Sequence, residues 1–353
     1  MSDLSPKPKP PRVSVVMAVY NGQAYIGRAI ESVLAQTERS LELIIVDDGS
    51  RDGTVEIVEE FAQTDPRVRL ITGQARQGPG HARNTGIDNA SGEWIALIDS
   101  DDWYTSDRLQ VLINTAEAEG ADLVADNQLF VFSEEAKPHR LLLKDQRNKL
   151  FRVNQVGLLE NDVIGRVGNY GLLKPLIRRE LITANQIRYI DSLRFGEDFL
   201  FLLDCMDVSG SILILNEPHY YYRVHGDSIS ISPEIGQLRL LLETQNRYLD
   251  ALGPGTDPEF LRLMRLRARQ THNYIRYRCV AEPLKKGDVM AALRQVAADP
   301  GTTIFAVKGG FRLARRMLLS LWSKLTTRPS GGPDRNPGNS RARKAIGAAR
   351  FSK

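Results

Sequence analysis

The sequence predicts an α/β protein with a mainly parallel sheet flanked by helices, followed by a helical extension and a disordered basic tail. Four apolar, β-branched runs carry this prediction, at residues 12–20, 41–50, 67–72 and 93–99. Continuous apolar runs of this kind are typical of strands buried on both faces. Helical patterns lie between them, and alternating strands and helices favour right-handed crossovers and a parallel sheet with helices on both faces.

The helical segments are predicted from apolar spacing and from end signals. "AYIGRAIESVLAQT" places Ile26, Ile30 and Val33 on one face. The next helix is expected to begin at Asp52, a residue type that caps helix N-termini, and to stop before Pro66. Two more helices are predicted, over 80–92 and 106–120.

The pattern changes along the chain and divides it into regions. The N-terminal stretch lacks the apolar core of a signal peptide, and the C-terminal stretch is rich in Gly, Pro, Ser and Arg, as disordered tails are. The predicted regions are a disordered leader at 1–11, an α/β region at 12–130, a second region at 131–232, a helical extension at 233–326 and a disordered tail at 327–353.

Composition and charge restrict the function classes. The 353 residues are 42% hydrophobic and 25% charged, and no run reaches the roughly 20 apolar residues that span a bilayer. Two isolated cysteines, Cys205 and Cys279, indicate a reduced, cytoplasmic chain. The first 300 residues carry 35 basic and 42 acidic side chains, a net charge of −7, which argues against a nucleic-acid partner.

The remaining residues are strongly basic. Between Gly301 and Lys353 there are twelve basic side chains and one acidic side chain. Within them, "FRLARRMLLSLWSKL" (311–325) has an apolar face containing Leu313, Met317 and Leu321, bordered by arginines, which is typical of a helix lying in an anionic membrane interface. The alternative is a helix packed on the protein body with solvated arginines.

Polar residues follow three of the predicted strands. The first strand is followed by Tyr20, Asn21 and Gly22, the second ends at Asp47, Asp48, Gly49 and Ser50, and the fourth ends at Asp99, Ser100, Asp101 and Asp102. Ligands of open α/β sheets bind beyond the carboxyl ends of the strands, so these ends are expected to meet at one edge. Clustered carboxylates repel one another unless a hard cation is present. Mg²⁺ or Mn²⁺, which often also holds a substrate diphosphate, is therefore predicted.

The order of these motifs carries a family resemblance. "VSVVMAVYNGQAYI", "LELIIVDDGSRDGT" and "GPGHARNTGIDNASGEWIALIDSDDWY" together resemble the nucleotide-binding half of family 2 glycosyltransferases, inverting enzymes with the GT-A fold. Within the family the likeness is to bacterial exopolysaccharide enzymes such as those of succinoglycan assembly. The resemblance implies a UDP-sugar donor, a divalent cation, a nucleotide-sugar-binding half at 12–130 and an acceptor-side half at 131–232.

The resemblance also implies roles for residues on the nucleotide side. Tyr20 would stack on the uracil, Asp48 would accept a hydrogen bond from the base N3–H, and Arg83 would reach the diphosphate or the sugar. The further nucleotide-sugar-binding candidates are Ala18, Asn21 and Ser100. The alternatives are a half-buried strand residue for Tyr20, a turn former for Asp48 and a solvated helix residue for Arg83.

The metal site is implied in the same way. Asp99 would bond the ribose and contribute to the metal site, and Asp101 would ligate the metal and bridge it to the phosphates. His225 would complete the metal shell, Arg223 would contact phosphate oxygens, and Asp102 would support its neighbours. The alternatives are a structural histidine, a surface ion pair for Arg223 and a helix-capping aspartate turn.

The acid pair Glu197 and Asp198 precedes an apolar helical pattern. In the family an acidic pair at this place supplies the general base, usually the second residue, which here is Asp198. The alternative is a helix N-terminus stabilised by acidic residues, an effect of about 0.3–1 kcal/mol.

The resulting hypothesis is an inverting transferase that moves glucose or galactose from a UDP-sugar to a lipid-linked saccharide acceptor. The enzyme is expected to be cytoplasmic and peripheral on the inner face of the membrane. Two alternatives remain: a catalytically inactive sugar-nucleotide-binding partner of another transferase, and a sugar-phosphate nucleotidyltransferase. The latter would need a Gly-rich basic loop after the first strand, where "NGQAYI" has no basic residue.

Overall fold

The computed structural model describes residues 9–73, 75–132, 140–143, 148–162, 169–224 and 233–303. The chain divides into two compact units, residues 1–279 and 280–353. Three predictions fall outside the described residues, namely His225, the amphipathic segment at 311–325 and the tail at 327–353. Most of the predicted leader also lies outside them.

The first unit is built on a single ten-stranded sheet within the described ranges. Its strands are β1 (Val13–Val19), β2 (Leu41–Asp47), β3 (Val68–Thr72), β4 (Trp94–Asp99), β5 (Trp103–Tyr104), β6 (Leu123–Val131), β7 (Arg140–Leu141), β8 (Leu150–Val153), β9 (Leu176–Arg178) and β10 (Ile212–Arg223).

The helices alternate with the strands in the first half of the chain and follow one another after residue 234. They are α1 (Ile26–Leu34), α2 (Thr54–Thr64), α3 (Pro79–Asp88), α4 (Arg108–Glu119), α5 (Gln155–Asn161), α6 (Arg179–Ala184), α7 (Glu197–Ser209), α8 (Ile235–Ala251), α9 (Pro258–Lys285) and α10 (Val289–Ala298).

The strand order confirms the predicted fold class. The sheet runs β3-β2-β1-β4-β9-β6-β10-β5, with β7 beside β6 and β8 beside β10. The pairs among β1, β2, β3 and β4 are parallel, as is the pair of β6 and β10. The short strand β9 is antiparallel to both of its neighbours, β4 and β6. The result is a mainly parallel sheet flanked by helices.

Burial on both faces explains why the first strands are continuously apolar. Val15 and Met17 of β1 pack in one core cluster with Ile30 of α1, while Val16 belongs to a second cluster that includes Leu203 of α7. Successive side chains of a strand point to opposite faces, so each face of β1 is covered by a different helix layer. The apolar face predicted for α1 is buried as expected.

The start of α2 differs from the prediction. The helix begins at Thr54, with Gly53 rather than Asp52 in the capping position. The Asp52 carboxylate instead accepts hydrogen bonds from the amide and hydroxyl of Thr54 and from the amide of Gln23. Asp52 therefore stabilises the turn before the helix and ties it to the loop after β1.

Helices α8 and α9 contribute to the core of the first unit. Leu241 of α8 and Met264 of α9 belong to the same cluster as Phe199 of α7. A buried ion pair joins Arg267 of α9 to Asp162, with 2.6 Å between nitrogen and oxygen. The guanidinium of Arg267 also lies 3.5 Å from the centre of the Phe199 ring.

The second unit contributes α10 to the described residues. The side chain of Asp288 caps this helix by accepting a 2.8 Å hydrogen bond from the amide of Ala291. Across the described ranges of both units, no helix combines the length and the apolar character needed to cross a bilayer.

Candidate active site

The ends of three strands bring the predicted residues to one edge of the sheet. β1 lies between β2 and β4, and Ala18 is in register with both Val46 and Asp99. Neighbouring strands are about 4.8 Å apart. The segments after β1, β2 and β4, which carry Tyr20, Asp48 and Asp101, therefore start side by side.

Arg83 joins this edge to the acid pair. The arginine lies on α3, is buried, and donates through Nη2 to Asp99 Oδ1 at 2.8 Å and through Nη1 to Glu197 Oε1 at 2.9 Å. Its Nη1 is also 3.1 Å from Asp198 Oδ1. One guanidinium thus connects the end of β4 with the beginning of α7, and the three predicted acids share a single site.

Lys174 is a member of this cluster that the sequence analysis missed. Its ammonium nitrogen lies 2.6 Å from Asp198 Oδ2 and 2.8 Å from Asp99 Oδ2, and the side chain is only 3% exposed. The available signal was a single lysine inside the apolar stretch "GLLKPLI". A buried lysine needs a charged partner, so this position calls for nearby carboxylates.

The short strand β9 and a buried ion pair position Lys174. Leu176 of β9 is in register with Ala96 of β4, so Lys174, two residues earlier, lies near the carboxyl end of β4. The carbonyl of Lys174 accepts a 2.5 Å hydrogen bond from Arg108 Nη2. Arg108 is itself paired with Asp126 of β6 at 2.8 Å, and both side chains are buried.

A glycine allows the acid pair to begin α7 at this point. Gly196, immediately before the helix, has φ of 77°, a left-handed conformation that glycine adopts without strain. A Cβ atom at Gly196 would lie 3.0 Å from the side chain of Leu241, so the packing also favours glycine. Glu197 and Asp198 then occupy the first helical turn, where the helix dipole favours negative charge.

The charges in the cluster shift the pKa values of its members. Burial opposes ionisation of Asp99, but the charges of Lys174 and Arg83 outweigh it and hold the pKa of Asp99 below its ordinary value. Burial, reinforced by the charge of Asp198, raises the pKa of Glu197. Burial also opposes the charge of Lys174, but the two carboxylates outweigh it and raise the pKa of the lysine.

The two oxygens of the Asp198 carboxylate have different contacts. Asp198 Oδ1 is a buried atom that receives no hydrogen bond from the described part of the chain, although Arg83 Nη1 is 3.1 Å away. The other oxygen, Oδ2, accepts a hydrogen bond from Lys174. Asp198 therefore pairs with a cation at each oxygen, through a 2.6 Å hydrogen bond from Lys174 at Oδ2 and through the longer 3.1 Å contact with Arg83 at Oδ1, and Oδ1 is the oxygen without a hydrogen bond from the described residues.

The "DSDD" segment has the donor set of a hard-cation site. Carboxylate oxygens of Asp99, Asp101 and Asp102 lie within 4.8 Å of one another. Burial raises the pKa of Asp102, and the charges of Asp101 and Asp99 add to this effect. Arg83 and Lys174 already compensate the charge of Asp99, and a divalent cation bound by oxygen ligands would relieve the remaining repulsion between Asp101 and Asp102. The carboxylate donors present fit Mg²⁺ or Mn²⁺.

Asp102 is held from β10. Its carboxylate accepts hydrogen bonds from the hydroxyl of Tyr220 at 2.6 Å and from the amide of Arg223 at 2.8 Å. The same Tyr220 hydroxyl accepts a 3.3 Å hydrogen bond from the amide of Asp99. Asp102 thus fixes residues 99–102, the acidic turn, against β10.

Arg223 also lies at the acidic turn. Its Nε donates a 3.0 Å hydrogen bond to the carbonyl of Asp101. Its guanidinium is 4.8 Å from the centre of the Tyr25 ring and 4.9 Å from that of Trp103. These contacts put a positive charge beside the predicted phosphate position.

A separate cleft of about 380 Å³ opens beyond the ends of β1, β2 and β3. Its lining residues include Tyr20, Asp47, Gly49, Ser50, Thr72 and Arg76. The guanidinium of Arg76 lies 4.0 Å from the centre of the Tyr20 ring. The cleft is large enough for an aromatic base beside Tyr20, and Arg76 occupies one face of that ring.

The Asp48 carboxylate contacts the loop that follows β3. Its carboxylate accepts hydrogen bonds from the amides of Gln77 at 2.7 Å and Gly78 at 2.8 Å. Asp48 therefore holds the loop that carries Arg76. Its neighbour Asp47 lines the cleft and accepts hydrogen bonds from the amides of Gly49 and Ser50.

Asn21 and Ser100 belong to the loops that follow β1 and β4. Asn21 has φ of 51°. Its side-chain oxygen accepts a 2.9 Å hydrogen bond from the backbone amide of Arg51, and its backbone amide donates a 2.8 Å hydrogen bond to Ser50 Oγ. A Cβ atom at Gly22 would lie 3.4 Å from Ser100 Oγ. Asn21 thus joins the loops after β1 and β2, and Ser100 packs beside them.

Fold and site together define a class. A mainly parallel sheet with acidic residues at the end of β4, facing an acid pair at a helix N-terminus, is the arrangement expected of a GT-A glycosyltransferase.

Comparison with known proteins specifies the family. The model of Glycosyl transferase family 2 matches residues 14–177. The chain is 34% identical over 294 residues to the succinoglycan biosynthesis protein ExoO of Rhizobium meliloti, covering 83% of each chain. It is 36% identical over 222 residues to the putative glycosyltransferase EpsH of Bacillus subtilis, covering 62% of each. The chain belongs to glycosyl transferase family 2.

Solved structures agree on the fold. S. aureus TarS 1–349, crystallised with UDP-GlcNAc, aligns with a TM-score of 0.53 at 17% identity, over 80% of this chain and 89% of TarS 1–349. The mannosyltransferase PcManGT from Pyrobaculum calidifontis, in complex with GDP-Man and Mn²⁺, aligns with a TM-score of 0.52 at 19% identity, over 90% of this chain and 84% of the other.

Proposed function

We propose that the protein is an inverting glycosyltransferase that transfers glucose or galactose from a UDP-sugar to an acceptor hydroxyl, with Asp198 as the general base. The observation that carries the proposal is the state of the Asp198 carboxylate. Its Oδ1 receives no hydrogen bond from the described residues, while Oδ2 is held by Lys174 in the same cluster as Asp99. A base must offer an oxygen to the proton that it removes, and Oδ1, which is buried 3.1 Å from Arg83 without a hydrogen bond, is the oxygen proposed for this role.

The donor nucleotide is proposed to lie across the ends of β1, β2 and β4. The uracil would occupy the cleft beside Tyr20. Asp48 would support the part of the site that binds the uracil, because it holds the loop at Gln77 and Gly78. TarS 1–349 is found in complex with UDP-GlcNAc and PcManGT in complex with GDP-Man, which supports a nucleotide-sugar donor for this chain. Arg83 and Arg223 lie at the other end and would contact the diphosphate or the sugar.

A divalent cation, Mn²⁺ or Mg²⁺, is proposed as the cofactor. Asp101 and Asp99 would hold it, Asp102 would fix the turn between them and β10, and His225 is proposed as a further ligand. When bound, such a cation neutralises the charge that develops on the diphosphate leaving group.

The proposed transfer step uses Asp198 on the acceptor side and the bound diphosphate on the donor side. The acceptor hydroxyl donates its proton to Asp198 Oδ1 while its oxygen forms the new bond to the anomeric carbon. The bond from that carbon to the diphosphate oxygen breaks, and its electron pair leaves with UDP. Attack opposite the leaving group inverts the anomeric carbon. A positioned carboxylate base contributes about 10²–10⁴-fold to such a reaction.

The acceptor is proposed to be a lipid-linked saccharide in bacterial exopolysaccharide biosynthesis. The relative ExoO is a succinoglycan biosynthesis protein, which supports this pathway class. A cytoplasmic enzyme of this kind must reach a membrane-bound acceptor. The basic residues between Gly301 and Lys353 would attract it to an anionic membrane surface.

A donor-hydrolysis screen tests the proposal without the unknown acceptor. Purified protein is incubated with UDP-glucose, UDP-galactose and UDP-GlcNAc, with Mn²⁺, with Mg²⁺ and with chelator, and free UDP is measured. We expect metal-dependent release from a UDP-hexose, and we expect proton NMR of the first product to show the anomer opposite to that of the donor. UDP binding without turnover of any donor would indicate the inactive binding partner, and the retained anomer would contradict the mechanism.

A further inference from the structure

We propose that Lys174 is a positioning residue of the transfer reaction, which holds Oδ2 of Asp198 and thereby selects Oδ1 as the oxygen that takes the acceptor proton. This inference rests on the proposed role of Asp198 as the base. It adds a residue that the motifs of the sequence did not indicate, and it assigns different tasks to the two oxygens of the base.

Lys174 contacts the same oxygen, Oδ2, of both Asp99 and Asp198. Its ammonium lies 2.6 Å from Asp198 Oδ2 and 2.8 Å from Asp99 Oδ2. Arg83 approaches the other oxygens, donating to Asp99 Oδ1 at 2.8 Å and forming an ion pair with Asp198 Oδ1 at 3.1 Å that is longer than the Lys174 contact and has no hydrogen bond. Lys174 therefore fixes the rotation of the Asp198 carboxylate, and it does so from the same nitrogen that holds the end of β4.

The backbone of Lys174 is anchored so that this contact is rigid. Its carbonyl accepts a hydrogen bond from Arg108, which is buried and paired with Asp126. Leu176, two residues later, pairs with Ala96 of β4. The ammonium thus reaches Asp198 from the sheet, whereas Asp198 itself belongs to α7. Catalytic groups held by packed elements keep the geometry that the reaction needs.

A merely structural lysine and a positioning lysine predict different kinetics. If Lys174 positions the base, Lys174→Met lowers kcat for donor hydrolysis on the order of 100-fold, the size of effect that misplacing a reacting group has. The donor KM and the Kd for UDP change less than about threefold, because Lys174 does not line the cleft proposed for the uracil and Arg83 still holds the other oxygen of Asp99. Lys149→Met is the matched control because Lys149 is 86% exposed and forms a surface ion pair with Glu217; its kcat should equal that of the wild type.

The conservative variant separates charge from geometry. Lys174→Arg keeps the positive charge but replaces a compact ammonium by a planar fork, so we expect a kcat about tenfold below the wild type with unchanged donor KM. If Lys174→Met fails to fold, as judged by thermal unfolding and UDP binding, Lys174→Arg decides the question. A wild-type kcat in Lys174→Arg, or a loss confined to donor KM, overturns the proposal.

A double-mutant cycle with Asp198→Asn completes the test. If Lys174 acts through Asp198, adding Lys174→Met to Asp198→Asn lowers the residual single-turnover rate by less than about threefold. A full multiplicative loss overturns the inference. Wild-type turnover in Asp198→Asn alone would instead refute the proposed function, whereas an inactive Asp198→Asn with a fully active Lys174→Met refutes only the role of Lys174.

Discussion

The pH dependence of stability at Asp204 follows directly from its surroundings. Asp204 lies half-buried on α7, and burial, followed by the charge of Asp207, raises the pKa of its carboxyl from 3.8 to about 6. Between these two values the folded chain holds a proton that the unfolded chain has released. The free energy of unfolding contributed by Asp204 is therefore greatest below pH 4, falls as the pH rises towards 6 and stays low above it.

The magnitude can be worked out from the shift. A difference of about two pKa units corresponds to about 3 kcal/mol, and solvent screening of a half-buried group reduces this to about 1–2 kcal/mol. Asp204→Asn cannot ionise, so at pH 8 we expect the variant to be more stable than the wild type by about 1–2 kcal/mol. Near pH 4 the two should differ by less than about 0.5 kcal/mol.

Urea denaturation of both chains at pH 4.5, 6 and 8 measures this difference. Asp250→Asn, which changes an exposed aspartate of α8, is the matched control and should alter the free energy of unfolding by less than about 0.5 kcal/mol, as surface substitutions usually do. An Asp204→Asn variant that is equally or less stable than the wild type at pH 8, or a difference that is the same at all three pH values, would refute the reasoning.

Two further predictions concern the base cleft and the anchor of Lys174. Tyr20→Ala should raise the Kd for UDP by about 5–150-fold, because aromatic stacking on a base contributes about 1–3 kcal/mol. Tyr20→Phe, which keeps the ring, should bind as the wild type does, and equal affinity of the Ala variant in titration calorimetry would place the base elsewhere. Asp126→Asn should lower the free energy of unfolding by about 3–5 kcal/mol, because it leaves the buried guanidinium of Arg108 without its counter-charge. Glu93→Gln, which alters an exposed ion pair with Arg178, should lower it by less than about 1 kcal/mol in the same urea titration; similar losses in both variants would contradict the role of burial.

The fold was predictable where buried elements have an apolar pattern in the sequence. β1 and β2 are buried on both faces, so their residues had to be apolar, and α1 shows its buried face through Ile26, Ile30 and Val33. The strand β9 has no such pattern. It has three residues, and its place between β4 and β6 depends on pairing with segments far away in the chain.

The site divides in the same way. Asp99, Asp101 and Asp198 were indicated by motifs. In the structure, Arg83 and Lys174 each form ion pairs with both Asp99 and Asp198. Lys174 was missed because its partners come from β4 and α7, so neighbouring residues give no hint of them. For Asp48 the sequence indicates a carboxylate at the end of β2. It does not indicate that the carboxylate turns to the amides of Gln77 and Gly78, because that depends on the path of a loop.

The central claim is that Asp198 is the base of a reaction whose donor is held by other residues. The measurement that tests it most directly is donor hydrolysis by Asp198→Asn beside calorimetric titration of the same variant with UDP and Mn²⁺, with Asp101→Ala as the comparison. We expect Asp198→Asn to bind UDP within about threefold of the wild type but to turn over at least about 100-fold more slowly, and we expect Asp101→Ala to lose metal-dependent UDP binding as well. Near-normal turnover in Asp198→Asn would contradict the claim.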